Sequence, residues 1–584
     1  MRSSRDRRRA AGITHYDGAR MRRRTLLLLV ALVVVAALLV LRSGPARSVY
    51  RGGPILTMDA ESRVVEALGV EGETIRTVGS EAEVRAWAGP DARVVDLAGR
   101  ALLPGFIDAH GHFPGAWAYA IAADLNSPPI GTLARMDDLV ERLRAKAGDT
   151  SRGEWVIGIG YDDTLLAEGR HPTRADLDRV STEHPVAAIH VSGHLGAVNG
   201  LALERLGYGR ESADPEGGRV RRDPGTGEPD GVLEETALDP VGAVVFQPST
   251  LDALRIVREA VRRYVAAGVT TAQTGYATAE QVRGLTLLSR LGVIPLRLVL
   301  WPAMELADER LAGRFEFRSY DERWVRLGAV KLVADGSIQG YTAYLREPYF
   351  VPSGDDPGER GYPRIPREEL VRRVTRYHEA GWQVAVHGNG DAAIDDILDA
   401  FEEAQRAEPR PDARPVIVHA QTARDDQLDR MRELGAIPSF FVLHTFYWGD
   451  RHREIFLGPG RAARISPLAS ARARGLRFTI HCDTPVVPME PLRLVWSAVN
   501  RITTSGAVLG TAERIEPMQA LRAVTIDAAY QHFEEASKGS LEPGKLADLV
   551  ILDRSPLEDP ATIDRIRVLE TIVGGRSVYR AEGE

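Results

Sequence analysis

Residues 102–112 read LLPGFIDAHGH, in which an apolar run is followed by two histidines separated by one residue. The segment LLPGFID predicts a buried strand, and His110 and His112 follow its end. Because residues i and i+2 of an extended segment point to the same side, both imidazoles can face one ion. Histidine pairs with this spacing are more often structural or exposed, so the pair alone does not identify a metal site.

The middle of the chain alternates apolar, strand-like segments with amphipathic stretches such as LDALRIVREAVRRYVAAG, which are typical of helices. This rhythm predicts an α/β fold, and the number of strand candidates predicts a (β/α)₈ TIM barrel. Active-site residues of such barrels lie at the C-terminal ends of the strands. The eight candidates are LLPGFID, GVTTAQT, LRLVL, GAVKLVA, VAVHG, VIVHA, GAIPSFF and RFTIHCD.

Three more predicted strands end in residues that can bind a metal ion. His387 ends the fifth strand, His419 the sixth and Asp483 the eighth. Together with the histidine pair after strand one, they predict a metal site at the mouth of the barrel. Asp483 has an alternative role as a helix N-cap. We favour the hypothesis that its carboxylate binds the ion and accepts the proton of the attacking water.

Lys331 lies within the fourth predicted strand and is open to two interpretations. An inward-facing lysine of a barrel strand can be salt-bridged or extend its amine to solvent. Alternatively, carbamylation of the amine would convert it into a carboxylate that bridges two metal ions.

Short β-branched runs with glycine turns precede the barrel region and also follow it. We predict that residues 49–100 and 538–584 form one composite β-sandwich domain, and that residues 101–537 form the barrel. Residues 113–250 are far too long for an ordinary βα connection, so they predict an inserted subdomain that caps the barrel mouth.

Four polar residues are candidates for substrate binding. His194 and Asn199 belong to the segment HVSGHLGAVNG of the insertion, while Asp335 follows strand four and His444 follows strand seven. These positions suit contacts with a substrate at the mouth. The alternative is that they organise the loops in which they lie.

The N-terminus has the pattern of a membrane-targeting segment. Residues 1–24 are rich in arginine, and residues 25–41 form an apolar run without acidic residues. The run predicts a transmembrane signal anchor or a cleaved signal peptide, with a buried core helix as a third alternative. By the positive-inside rule the catalytic part would lie outside the cytoplasm, membrane-anchored or exported. Met21 is an alternative start to Met1.

Composition excludes several classes of protein. The chain has 584 residues, of which 44% are apolar and 27% charged, and its net charge is only -7. Lysine and arginine form no dense stripe in the folded part, which argues against a nucleic-acid partner and favours a small-molecule substrate. Cys482 is the single cysteine, so an intramolecular disulfide and a cysteine-rich zinc module are excluded.

Several motifs together resemble the amidohydrolase superfamily, in its YtcJ-like branch related to N-substituted formamide deformylases. The resemblance spans residues 50–580 and implies metal ligation by His110, His112, Lys331, His387, His419 and Asp483, with Asp483 also as the general acid/base. The motifs are PGFIDAHGH, HVSGHLGAVNG, GVTT, VKLVADGSIQGYTAYL, VAVHGNGDAAID, VIVHAQ, IHCDTPVVPMEPL and GSLEPGKLADLVILD.

The resemblance implies a hydrolase that cleaves a carbon–nitrogen bond other than a peptide bond, with an amide or N-substituted formamide as the favoured substrate. It implies one or two divalent ions, with zinc preferred, and a carbamylated Lys331 is one form of the site. Hydrolytic deamination of a heterocycle and a membrane-tethered, non-catalytic sensor are the alternatives. A homodimer is left open.

Overall fold

The structure is a computed structural model that describes residues 47–115, 120–245 and 249–582. The predicted basic region 1–24 and membrane segment 25–41 lie outside the described residues. Among the residues that are described, we find no helix with the length and apolar character needed to cross a bilayer.

The eight predicted strands are confirmed, and they form a parallel barrel in two hydrogen-bonded arcs. Strands one to three and the short strand Val325–Leu327 form one arc, and strands four to eight form the other. Backbone hydrogen bonds join strand eight to strand one, since Asp483 N lies 3.3 Å from His110 O and His112 N lies 2.8 Å from Thr484 O. The barrel strands are Phe106–Ile107, Val269–Ala277, Arg297–Pro302, Val330–Val333, Val384–Gly388, Val416–His419, Ile437–Phe440 and Thr479–Ile480.

Amphipathic helices surround the barrel and bury one face against it. The helix Thr250–Ala266 is representative: Ile256, Val257 and Ala260 are buried, and the Ser249 side chain caps its first turn. The other principal helices of this layer are Ala279–Arg290, Met304–Leu311, Arg367–Glu379, Asp391–Ala407, Asp425–Leu434, Leu468–Ala473, Pro491–Asn500, Pro517–Ala523 and Ile526–Gln531.

One sheet contains strands from both ends of the chain. Leu68 and Ile75 from the N-terminal part share a hydrophobic cluster with Leu549 and Leu569 from the C-terminal part. The order in the sheet is Arg576–Arg580, Val568–Val573, Leu549–Leu552, Ala101–Pro104, Arg47–Leu56, Val64–Glu71 and Thr74–Gly79, and Arg93–Asp96 pairs with Arg47–Leu56.

The predicted boundary between this sheet and the barrel is wrong by a few residues. Ala101–Pro104, of which residues 102–104 belong to the predicted barrel strand LLPGFID, pairs antiparallel with Leu549–Leu552 in the terminal sheet. The chain passes into the barrel at Gly105, where a β-carbon would lie only 2.1 Å from the Thr270 side chain. Only glycine permits this close approach, so strand one of the barrel begins at Phe106.

A six-stranded sheet lies within the insertion, and we call residues 123–235 the cap. Its own hydrophobic cluster includes Leu139, Val186 and Val232. The strand order is Gly218–Arg222, Pro229–Glu235, Leu195–Val198, Val186–His190, Val156–Tyr161 and Ala123–Asp124. The helices of this part of the chain are Met136–Gly148, Arg174–Asp178, Gly200–Leu206 and, just beyond the cap, Asp239–Val245.

Candidate metal centre

Three of the predicted ligands meet at the junction of strands one and eight. The Nε2 atoms of His110 and His112 lie 3.5 Å and 3.3 Å from Asp483 Oδ1. Two donors that share a tetrahedral zinc ion at about 2.0–2.1 Å would be about 3.3 Å apart, so the spacing fits a common ion. His110 is buried, whereas the His112 side chain is 39% exposed and faces the opening.

The imidazoles of His387 and His419 lie close to Asp483 and to each other at the barrel mouth. Their ring centroids are 4.4 Å apart, and His419 Nε2 lies 3.9 Å from Asp483 Oδ2. Burial lowers the pKa of both rings well below the usual value, and nearby positive charges lower it further. Both imidazoles are therefore neutral at neutral pH, which is the form that binds a metal ion.

Polar atoms without hydrogen bonds identify where an ion fits. Asp483 Oδ1 is buried and has no hydrogen-bond partner, although two imidazole nitrogens lie beside it. A buried carboxylate oxygen without a partner is costly unless a cation compensates it. A set of imidazole nitrogens with one carboxylate is the donor chemistry of zinc and related divalent ions.

Asp483 is held as a carboxylate by its neighbours. Burial would raise its pKa, but the adjacent His112 holds the pKa below the usual range of an aspartate. The backbone of Asp483 has φ 54° and that of His419 has φ 74°, which is the left-handed region that residues other than glycine rarely adopt. Such backbone strain is concentrated at functional sites, where the surrounding structure over-determines the geometry.

The amine of Lys331 lies among the predicted metal ligands. Its Nζ is 3.2 Å from His110 Nε2, and the side chain is buried. Burial lowers its pKa from 10.5 to about 7, so a substantial part of the amine is uncharged at neutral pH. An uncharged amine is the form that can react with carbon dioxide to give a carbamate.

Asp335 supports a predicted ligand, and its substrate role stays a prediction. Its side chain is fully buried, and its Oδ1 lies 3.0 Å from His387 Nδ1. The backbone N–H groups of Asn389, Gly390 and Tyr344 also donate to its two oxygens. With all of these donors satisfied, Asp335 fixes the ring of His387 so that Nε2 faces the mouth.

Asn199 has a structural role in the cap, and its substrate role also stays a prediction. The residue is fully buried, and its Oδ1 accepts hydrogen bonds from the backbone of Ala202 and Val186. Its Nδ2 donates to the carbonyl groups of Ser181 and His184. Asn199 thus caps the helix Gly200–Leu206 and joins two segments of the cap, as asparagine commonly does at a helix N-cap.

His194 brings the cap into contact with the barrel mouth. Its ring centroid is 4.9 Å from that of His387, and its Nδ1 lies 2.9 Å from Glu235 Oε2. Glu235 is buried and also accepts a hydrogen bond from Arg364, a residue of the barrel region. Sequence reasoning did not identify Glu235, because no local pattern connects it with a histidine 41 residues earlier. His194 remains a predicted substrate-binding residue.

His444 lies close to the mouth in an aromatic setting. Its Nδ1 is 3.0 Å from His452 Nε2, and its ring packs against Phe441 and Trp448 with centroid distances of 4.6 Å. Burial lowers the pKa of His444 to about 3, so the ring is neutral. The substrate role of His444 stays a prediction.

His481 is a further residue of the site that the sequence analysis missed. It is fully buried, and its ring lies 5.2 Å from that of His110 and 5.1 Å from that of His419. The signal was present in the sequence, because His481 lies in the predicted eighth strand RFTIHCD, two residues before Asp483.

An eight-stranded parallel barrel with imidazole and carboxylate donors at the C-terminal ends of its strands defines the class of barrel hydrolases that act through a bound metal ion. The chain belongs to the amidohydrolase family, whose model, described as "Amidohydrolase family", matches residues 93–579. It is therefore a hydrolase that acts on carbon–nitrogen bonds other than peptide bonds.

Comparisons with individual proteins agree with this assignment. The chain is 31% identical over 548 residues to N-substituted formamide deformylase of Arthrobacter pascens, covering 91% of this chain and 97% of that protein. It is 27% identical over 560 residues to the Bacillus subtilis (strain 168) protein YtcJ, which carries an amidohydrolase name, covering 91% and 99%. An uncharacterized metal-dependent hydrolase from Pyrococcus furiosus superposes with a TM-score of 0.66 at 27% identity, covering 88% of this chain and all of that one.

Proposed function

We propose that the protein hydrolyses the carbon–nitrogen bond of a small amide, with N-substituted formamides as the favoured class. The observation that carries the proposal is the meeting of His110, His112 and Asp483 around a buried carboxylate oxygen that has no other partner. The name of the Arthrobacter pascens relative supports the choice of formamides, because the similarity extends over nearly the full length of both chains.

The side chains at the mouth have distinct roles in this proposal. His110, His112, His387, His419 and Asp483 would hold a divalent ion, for which zinc is the best match, and the carbamate of Lys331 would add a ligand between two ions. When bound, such an ion would activate water and polarise the carbonyl group of the substrate. Asp483 accepts the proton of the attacking water and passes it to the leaving amine. His194 and His444 contact the substrate from the two sides of the mouth.

The activity is tested with full-length protein loaded with zinc or manganese and offered N-substituted formamides, N-acyl amino acids, cyclic amides and aminopurines. We expect release of formate and amine from the formamides, loss of activity with a chelator and recovery when metal is returned. Turnover of aminopurines alone would identify a deaminase instead. Binding of one compound without any turnover by metal-loaded protein would identify a binding protein.

Replacement of Lys331 by alanine tests the carbamate. If the carbamate bridges two ions, Lys331→Ala should lower the metal content by about one equivalent relative to the wild type after identical loading with zinc. Atomic emission spectroscopy of the protein measures the metal content. An unchanged metal content in a folded Lys331→Ala protein would rule out the bridge.

The role of Asp335 is tested with Asp335→Asn, which keeps the shape of the side chain but removes its charge. Because the carboxylate fixes His387, we expect metal affinity to fall about 10-fold to 100-fold. Competition with a fluorescent zinc chelator measures this change. Asp396→Asn, which removes a carboxylate from an outer helix, is the control. Wild-type affinity of the Asp335 variant would show that the hydrogen bond does not support the ligand.

A further inference from the structure

A second group of histidine and aspartate side chains lies inside the cap. Asp163 follows the strand Val156–Tyr161, His190 ends the neighbouring strand Val186–His190, and His171 lies in the loop between them. All three side chains are at least 87% buried, with exposures of 12%, 0% and 13%. The described hydrogen bonds and ion pairs of these three residues include none to the predicted ligands of the barrel mouth.

The distance from Asp163 to each imidazole fits both an ion pair and two ligands of one ion, and the centroids of the two rings are 5.8 Å apart. Asp163 Oδ1 lies 3.2 Å from His190 Nε2, and Asp163 Oδ2 lies 3.7 Å from His171 Nε2. Two donors on one tetrahedral zinc ion would be about 3.3 Å apart. Although they face each other, Asp163 Oδ1 and His190 Nε2 are both buried without a hydrogen bond of acceptable geometry. Buried polar atoms rarely lack a partner, and a cation bound between these two atoms would satisfy both.

The surrounding residues orient the three side chains. Ser192 Oγ lies 2.8 Å from His190 Nδ1, and the Tyr161 hydroxyl lies 3.1 Å from His171 Nδ1. Each imidazole thus has a partner at Nδ1, which for His190 includes the backbone N–H of Ser192 at 3.2 Å, and Nε2 faces Asp163. Ligation through His190 Nε2 therefore requires that Nδ1 donate to Ser192 Oγ. Outer hydrogen bonds of this kind are a regular feature of metal-binding histidines.

The neighbouring Asp162 is not available as a ligand. Its Oδ1 accepts hydrogen bonds from the backbone and side chain of Thr164. Its Oδ2 accepts from Trp448 Nε1 and from Arg451 Nη1, both in the segment that follows barrel strand seven. Asp162 therefore connects the cap with the barrel region through hydrogen bonds. The side chains available to bind an ion are those of Asp163, His171 and His190.

We propose that Asp163, His171 and His190 form a second metal site, which binds one divalent transition-metal ion of the zinc type inside the cap. Two histidines and one carboxylate with a fourth position for water are a common ligand set for zinc. The ion connects three separate segments of the cap. It also stabilises the turn after His190, because Ser192 Oγ accepts a hydrogen bond from the backbone N–H of His194, whose ring contacts His387.

The test measures zinc bound by full-length protein after loading with Zn²⁺ alone and removal of excess metal. Asp163→Asn and His190→Gln are each expected to bind about one equivalent less than the wild type. His184→Gln is the matched control, because His184 is a buried cap histidine whose Nδ1 is bonded to the Glu154 carbonyl, and it should bind the wild-type amount. His110→Ala combined with His112→Ala should retain the cap ion, which separates this site from the barrel site and from the proposed activity.

Equal zinc content in the wild type and both cap variants would overturn the proposal and leave an Asp163–His190 ion pair. Anomalous scattering at the zinc edge from crystals of the wild-type protein provides a second measurement that needs no variant. A peak between Asp163, His171 and His190 is expected. Absence of such a peak in zinc-loaded crystals that show the barrel ion would equally refute the site.

Discussion

Asp483→Asn is expected to lower kcat by about 10⁴-fold while the protein remains folded. The substitution preserves the size of the side chain but removes the negative charge that faces His110 and His112. An amide is a poor ligand for a divalent ion and cannot accept the proton of the attacking water. The value of kcat is measured by steady-state kinetics of metal-loaded protein with an amide that the wild type hydrolyses. Circular dichroism verifies the fold.

Asp399→Asn is the control for this experiment, because Asp399 pairs with Arg367 and Arg430 on an outer helix of the barrel. It should keep wild-type kcat. If the Asp483 variant retained activity within 10-fold of the wild type, another group would have to act as the proton acceptor.

Asp548→Asn is expected to destabilise the protein by about 3–5 kcal/mol, which is the usual cost of leaving one partner of a buried ion pair without its counter-charge. Asp548 directly precedes the strand Leu549–Leu552 of the terminal sheet and receives two hydrogen bonds from Arg297 of barrel strand three, with distances of 2.6 Å and 2.9 Å. Both side chains are buried. The measurement is chemical denaturation of the wild type and the variant at neutral pH.

A double variant distinguishes the charge from the packing. Arg297→Met with Asp548→Leu removes both charges, so it should be less destabilised than Asp548→Asn. Asp553→Asn breaks the exposed pair with Arg567 and should cost less than about 1 kcal/mol. If the double variant were as unstable as Asp548→Asn, packing and not charge compensation would determine the stability that this contact contributes.

The same pair predicts how acid affects stability. Burial opposes ionisation of Asp548, but Arg297 lowers its pKa below the usual value. A carboxyl group whose pKa is lower in the folded protein contributes stability above its unfolded pKa of about 3.9 and loses that contribution as the pH falls through its folded pKa. Between pH 5 and pH 3, the stability of the wild type should therefore fall more steeply than that of Asp548→Asn.

Much of the barrel was predictable from local sequence. Strands such as VAVHG and VIVHA are apolar on both faces because helices cover one side and the barrel interior the other. The position of His387, His419 and Asp483 at strand ends then follows from the parallel arrangement, since all C-terminal ends meet at one mouth. His481 could have been identified in the same way, because it lies in the predicted eighth strand two residues before Asp483.

Asp335 and Asn199 have structural roles that this reasoning does not reveal. Both are polar residues near the predicted mouth, and from sequence they cannot be distinguished from residues that contact a substrate. The structure shows that each has all of its hydrogen-bonding capacity used within the protein, one to orient His387 and the other to cap a helix. Hydrogen-bond satisfaction depends on neighbours that are distant in sequence, so only the folded chain reveals it.

The sequence by itself therefore determined the barrel, the mouth at which the candidate metal ligands meet and the histidines and aspartate at the strand ends, because period and strand direction are local properties. Only the tertiary structure showed that Ala101–Pro104 pairs in the terminal sheet and that Glu235 is the partner of His194. It also brought Asp163, His171 and His190 together within the cap. These features arise from packing between segments that are far apart in the chain, which no local pattern records.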